Sequence, residues 1–127
     1  MIDHSGISVA DFAQSKAFYE KALAPLGGSF LHLVPPEYTD GVQVGGFGIN
    51  SPSFWIEEGA AQTPPLHFAF KAACRDDVDK FYAAAIEAGG VDNGKPGLRP
   101  HYHEHYYGAF VLDPDGNNIE AVCHTPA

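Results

Sequence analysis

The chain resembles itself at an offset of 63 residues, and this constrains its fold more than any other feature. His4 corresponds to His67, Phe18-Tyr19 to Phe81-Tyr82, Ala22-Leu23 to Ala85-Ile86, and Ile56-Glu57 to Ile119-Glu120. The offset is close to half of the 127 residues, so the expectation is two similar modules, about 1–58 and about 65–123. Gly59-Ala60-Ala61-Gln62-Thr63-Pro64 joins them, small and polar and ending in a helix breaker. A chain this long buries one core and is too short for two ordinary domains, so residues 1–127 are expected to form a single domain. Hydrophobic residues at 45% and charged residues at 18% supply enough apolar surface to offset the entropy of ordering, which excludes wholesale disorder.

Each module shows the same order of elements. Ile2 to Val9 and Leu66 to Ala72 read as short strands, and Asp11 to Ala24 and Asp76 to Ala88 as amphipathic helices. In the second helix Val78, Phe81, Tyr82, Ala85 and Ile86 fall on one face, Asp76 stands as the N-cap, and Gly89-Gly90 supplies the left-handed stop. The first helix repeats this with Phe18, Tyr19, Ala22, Leu23, Leu26 and Gly27-Gly28. Strands follow at Ser29–Val34, Val42–Ile49 and Phe54–Glu57, then at Tyr107–Leu112 and Asn118–Cys123, after a poorly patterned stretch beyond the second helix. Asp113-Pro114-Asp115-Gly116 is a strong turn, with Asn50-Ser51-Pro52-Ser53 at its repeat position. The fold class is therefore α+β, two paired βαβββ modules forming a curved mixed sheet around a cleft.

Strand parity places the chemistry. Side chains alternate faces, so His4 opposes Ile7 and Val9, His67 opposes Phe68 and Phe70, Glu57 opposes Phe54 and Ile56, and Glu120 opposes Ile119 and Ala121. If the two sheets curve toward one another, His4, Glu57, His67 and Glu120 converge as two pseudo-symmetric His/Glu pairs. Imidazole and carboxylate are ligands for a divalent metal such as Zn, Ni, Co, Mn or Fe.

Other classes are excluded by composition. Seven Lys+Arg against 16 Asp+Glu give a formal charge of -9, and the basic residues are scattered, so neither nucleic acid nor an anionic membrane is expected as a partner. No stretch approaches the roughly 20 apolar residues of a membrane span, and the N-terminus has no signal-peptide pattern, so a cytoplasmic location is expected. Two isolated cysteines make neither a disulfide framework nor a thiolate cage. Gly41 to Gly48 lacks the Lys and the strand-to-helix context of a phosphate loop, and no Gly-x-Ser-x-Gly elbow occurs.

His4-Ser5-Gly6-Ile7-Ser8-Val9, the Phe18 to Leu23 helix, Leu66-His67-Phe68-Ala69-Phe70 and above all Phe110-Val111-Leu112-Asp113-Pro114-Asp115-Gly116-Asn117-Asn118-Ile119-Glu120 resemble the glyoxalase/bleomycin-resistance/dioxygenase (vicinal oxygen chelate) superfamily. The resemblance covers essentially the whole chain. It implies a metal cleft with ligands on the first and last strands of each module, here His4, Glu57, His67 and Glu120, and it implies a homodimer. It implies a metal-dependent lyase or isomerase of the glyoxalase type acting on a small oxygen-chelating substrate, with Glu120 or Glu57 as the base. Two alternatives stand beside it: a small-molecule or antibiotic-binding protein without catalysis, and an Fe(II) ring-cleaving dioxygenase using His4, His67 and Glu120. Only Arg75 and Arg99 are arginines, which argues against a glutathione adduct as substrate.

Arg99 to Gly108 forms a second constellation. His101, His103 and His105 would share a face of an extended segment, the spacing of an adventitious metal site. The preferred expectation is that the segment walls the substrate pocket, with Arg99, His103, Tyr106 and Trp55 contributing contacts and Tyr106 or a neighbouring His a proton.

Overall fold

A computed structural model describes residues 1–127. The first module runs β1 (Ser5–Val9), α1 (Phe12–Leu23), β2 (Ser29–Leu33), β3 (Val44–Gly48) and β4 (Pro52–Glu58). The second runs β5 (His67–Lys71), α2 (Arg75–Glu87), β6 (Val91–Leu98), β7 (Tyr107–Leu112) and β8 (Asn118–Cys123). Each module is one four-stranded mixed sheet, ordered β1-β4-β3-β2 and β5-β8-β7-β6. In each the first strand runs parallel to the last, and the other pairs are antiparallel. Paired βαβββ modules are thus present, as two separate sheets that do not close on each other.

Local chemistry accounts for the helix ends. Asp11 caps α1 by accepting the Gln14 N–H at 3.0 Å, and Gly27, at φ 86°, ends the short 3-10 turn that follows. The start of α2 corrects the sequence expectation, since Cys74 is its N-cap and Asp76 lies inside the first turn, paired with Lys80 at 2.9 Å. There the Asp76 carboxylate favours the helix dipole without capping it. The poorly patterned stretch is also corrected: it forms β6, an irregular strand whose register shifts twice against β7. Glycines and these shifts erase the alternation that would have revealed it.

The core lies between helices and sheets. Phe12, Phe18, Tyr19 and Ala22 of α1 and Val78, Phe81 and Ala85 of α2 are buried against Ile7, Val9, Phe54, Ile56, Val111, Ile119 and Ala121 from the strands. Phe54 bridges the modules, with its ring 5.2 Å from those of Phe68 and Phe70. A polar clamp adds to this: Tyr19 donates to Asp113 Oδ2 at 2.5 Å, and the Ala10 N–H donates to Asp115 Oδ2 at 3.2 Å. Asp113 also accepts the N–H groups of Asp115 and Asn117, each at 2.9 Å, so the β7–β8 turn forms as its sequence implied and docks onto α1. With helices on one side of each sheet, the opposite faces are open.

Candidate functional site

The open face of the second sheet carries a His/Glu pair. His67 begins β5 and Glu120 sits mid-way along β8, where Ala69 is its register partner. His67 Nε2 lies 3.2 Å from Glu120 Oε1. The other imidazole nitrogen, Nδ1, is 3.0 Å from the Asn118 carbonyl oxygen. A carbonyl only accepts, so Nδ1 carries the hydrogen, and Nε2 of the neutral ring presents a lone pair to the carboxylate.

Glu120 is 2% exposed although it lies on the face of its sheet opposite the helix. The cover comes from the segment before β7: the Tyr106 hydroxyl donates to Glu120 Oε2 in a short hydrogen bond. A side chain at Gly108 would stand 3.2 Å from that same oxygen and 3.2 Å from the Tyr106 ring, so a glycine there leaves room for the pair. The Tyr106 ring is flanked by Tyr102, His103 and His124, with centroids at 4.8, 5.5 and 5.4 Å. His103 is itself fixed, since its Nδ1 accepts the His105 N–H at 3.1 Å and its Nε2 therefore donates to His124 Nδ1 at 2.8 Å. Burial and the Glu120 carboxylate push the Tyr106 phenol well above its ordinary pKa, so it stays a donor. Phe110 stacks on His67 with centroids 6.4 Å apart, and the Arg99 guanidinium lies 5.4 Å from the Phe110 ring while donating to the carbonyls of Gly97 and Lys95.

Thus Arg99, His103 and Tyr106 are grouped around the His67–Glu120 pair. His4 and Glu57 are not brought to it within one chain. His4 precedes β1, is 62% exposed at its side chain and pairs with Asp3 at 2.8 Å. Glu57 lies exposed on the other sheet. No group of three or more His, Cys, Asp or Glu side chains in the chain is placed to hold a metal ion.

The two modules differ in connection length and in register. Between β3 and β4 the chain has three residues, 49–51, whereas between β7 and β8 it has five, 113–117. Relative to the first strands, the last strand of module one is slipped by two positions: Gly6 pairs with Trp55, where Ala69 pairs with Glu120. A two-residue slip keeps the face and moves the side chain about 7 Å along the strand. Trp55, not Glu57, is the register counterpart of Glu120. Asn118, His124 and Phe110 are the site neighbours that sequence reasoning did not single out.

A family model described as the Glyoxalase/Bleomycin resistance protein/Dioxygenase superfamily matches residues 1–121. The chain belongs to this superfamily. Solved structures agree: a glyoxalase/bleomycin resistance protein from Albidiferax ferrireducens T118 is 27% identical, with a TM-score of 0.71 over 97% of this chain and 98% of that one. A glyoxalase I mutant from Zea mays is 23% identical over 97% of this chain and 46% of its own, with a TM-score of 0.71. A mutant of the fosfomycin resistance protein FosX from Listeria monocytogenes, complexed with Mn(II) and a dihydroxypropylphosphonic acid, is 16% identical over 98% and 90%, with a TM-score of 0.71. These last two likenesses are of fold alone. A search of curated proteins finds no match. No helix of the chain is long and apolar enough to cross a membrane.

Proposed function

We propose that the protein is a metal-dependent enzyme of the lyase or isomerase type, acting on a small substrate through paired oxygen atoms, with His67 and Glu120 as metal ligands. The supporting observation is the 3.2 Å approach of His67 Nε2 to Glu120 Oε1 with Nδ1 committed to the Asn118 carbonyl. Two acceptors facing each other at that distance need a proton or a cation between them. An imidazole oriented by a backbone carbonyl through its far nitrogen is the usual arrangement of a metal-bound histidine. A bound divalent ion would supply Lewis-acid stabilisation of negative charge developing on substrate oxygen.

The chain's own residues have distinct parts. Glu120, buried and engaged at both oxygens, acts as a fixed ligand, and Tyr106 holds its orientation. Phe110 fixes the His67 ring, with Arg99 as a positive edge behind it. Protein metal sites ordinarily use three or four ligands, and one chain supplies two. His4, exposed and outside the core, completes the set from a second copy in a homodimer.

The test is metal content, measured by plasma mass spectrometry on untagged protein purified without chelator. Wild type is set beside His4→Ala and His67→Ala/Glu120→Ala, all retaining the His101 to His105 segment. Near-stoichiometric metal in wild type that is lost in both variants supports the reading. Equal metal in all three overturns it, as does metal-free wild type whose His67 is doubly protonated by nitrogen-15 NMR.

A further inference from the structure

Two side chains hold down the segment that covers Glu120. Residues 99–106 close on themselves, with the Arg99 N–H donating to the Tyr106 carbonyl at 2.7 Å, the Tyr102 N–H to the Arg99 carbonyl at 2.9 Å and the Tyr106 N–H to the His103 carbonyl at 3.2 Å. Two side-chain hydrogen bonds then tie the segment to the last strand: Tyr106 to Glu120 within β8, and His103 Nε2 to His124 Nδ1, at 2.8 Å, just beyond it. The His103 and His124 rings stack with centroids 5.1 Å apart and planes at 24°, and both residues are exposed, so protons reach them. The Tyr106 ring packs edge-on against both, at 5.5 and 5.4 Å.

The hydrogens on the two rings determine how this contact responds to pH. In the neutral pair His103 carries its hydrogen on Nε2, pointing at His124, and His124 carries its own on Nε2. Both remaining lone pairs are in use, Nδ1 of His103 by the His105 N–H at 3.1 Å and Nδ1 of His124 by His103. One added proton on His103 Nδ1 costs the bond within the segment and leaves the bond to His124. A second, on His124 Nδ1, sets N–H against N–H at 2.8 Å and places two positive rings 5.1 Å apart. No carboxylate pairs with either ring: Glu120 is engaged by Tyr106 and His67, and Glu104 lies 4.0 Å from His105. Arg99 is a further cation, turned to the carbonyls of Gly97 and Lys95. Tyr106 faces both rings as a phenol kept protonated by burial and by Glu120, with Tyr102 and then His101 stacked beyond it. Cys123, next to His124, turns its thiol to Thr125.

The geometry points to a pH-dependent latch formed by His103 and His124 on the segment 99–106, closed while the pair carries at most one added proton and open when both rings are positive. Opening lifts Tyr106 from Glu120, so the carboxylate is covered at neutral pH and bared at mildly acidic pH, across the range in which imidazoles titrate. The latch goes beyond the metal reading, as a control over when Glu120 can be reached, and it does not rest on that reading, because neither titrating ring is a proposed ligand.

The test is NMR of the full-length, metal-free protein in EDTA, titrated from about pH 8 to about pH 5. The reporter is the nuclear Overhauser contact between the Tyr106 ring and Gly108, whose Cβ position lies 3.2 Å from that ring. The expected result is that this contact falls by about tenfold as the His103 and His124 ring signals reach their charged positions, the loss that corresponds to a segment about nine-tenths open. Amide signals of Phe68 and Ile119, in the sheet beneath, should stay in place. His124→Gln keeps an acceptor for His103 and takes no second charge, so its segment should stay closed at the acidic end. His105→Gln, which keeps the backbone N–H, and His67→Ala should respond as wild type does, the latter separating the latch from protonation at the His67–Glu120 pair. A Tyr106–Gly108 contact undiminished with both rings charged overturns the inference. So does a response that persists in His124→Gln, is lost in His67→Ala, or coincides with loss of the Phe68 and Ile119 signals.

Discussion

Replacing Tyr106 by Phe removes one hydroxyl and keeps the ring between Tyr102, His103 and His124. The loss falls on Glu120 Oε2, which belongs to a carboxylate that is 2% exposed and whose other oxygen faces His67. A hydrogen bond to a charged group contributes about 1.5–3 kcal/mol, and a buried carboxylate oxygen left without a donor costs the upper part of that range. Tyr106 is itself only half-buried, so water can enter beside the new Phe ring and hold the cost near the lower limit, about 1.5 kcal/mol. For a domain of this size that is a fall of roughly 4–8 °C in the thermal midpoint of the metal-free protein. If His67 and Glu120 bind a metal, losing this outer partner should also weaken the metal by about 10–100-fold. Thermal unfolding in EDTA gives the first quantity, and competition with a chromophoric chelator gives the second. Tyr102→Phe, whose hydroxyl does not reach Glu120, is the control. A Tyr106→Phe protein with unchanged midpoint and metal affinity would refute the argument that Tyr106 orients Glu120.

Three further outcomes are expected. Tyr19→Phe breaks the cross-module bond to Asp113 and should cost about 1.5–3 kcal/mol in denaturant unfolding. Burial, then Asp113, raises the Tyr19 phenol well above 10.0, so the folded state retains a proton that unfolded tyrosine loses; that stabilisation is complete below pH 10 and fades as pH rises further, and the variant's alkaline decline should be shallower. Gly46→Ala places a Cβ 2.8 Å from Pro52 Cβ and 2.9 Å from Trp55 Cζ3, so it should destabilise by about 1–3 kcal/mol and red-shift Trp55 emission as the indole is pushed outward. Mixing His4→Ala with His67→Ala under conditions of subunit exchange should restore metal to about one quarter of the sites, because random pairing makes half the dimers mixed and each mixed dimer has one intact composite site. A site within one chain would restore none.

Most of the architecture could be read before any coordinates. The 63-residue repeat matches the two observed modules, and the helical spacing of Val78, Phe81 and Ala85 and the Asp113 to Gly116 turn are local signals, each set by a few neighbouring side chains, that match the observed elements. Parity placed His67 and Glu120 on one face correctly, because alternation along a strand is a property of the strand itself. Parity could not choose between Trp55 and Glu57, since both lie on the same face. Their position along it depends on how β4 slides against β1, a pairing between strands far apart in sequence that fixes Phe54 and Ile56 in the core. The burial of Glu120 likewise arises from Tyr106, 14 residues away on a segment expected to wall the pocket but without a named partner. The sequence by itself thus determined the modules, most of their elements apart from β6, and the shared face of His67 and Glu120. Tertiary structure alone decided register, the covering of Glu120 and the separation of His4 and Glu57 from the pair, because these depend on pairing and docking between distant segments.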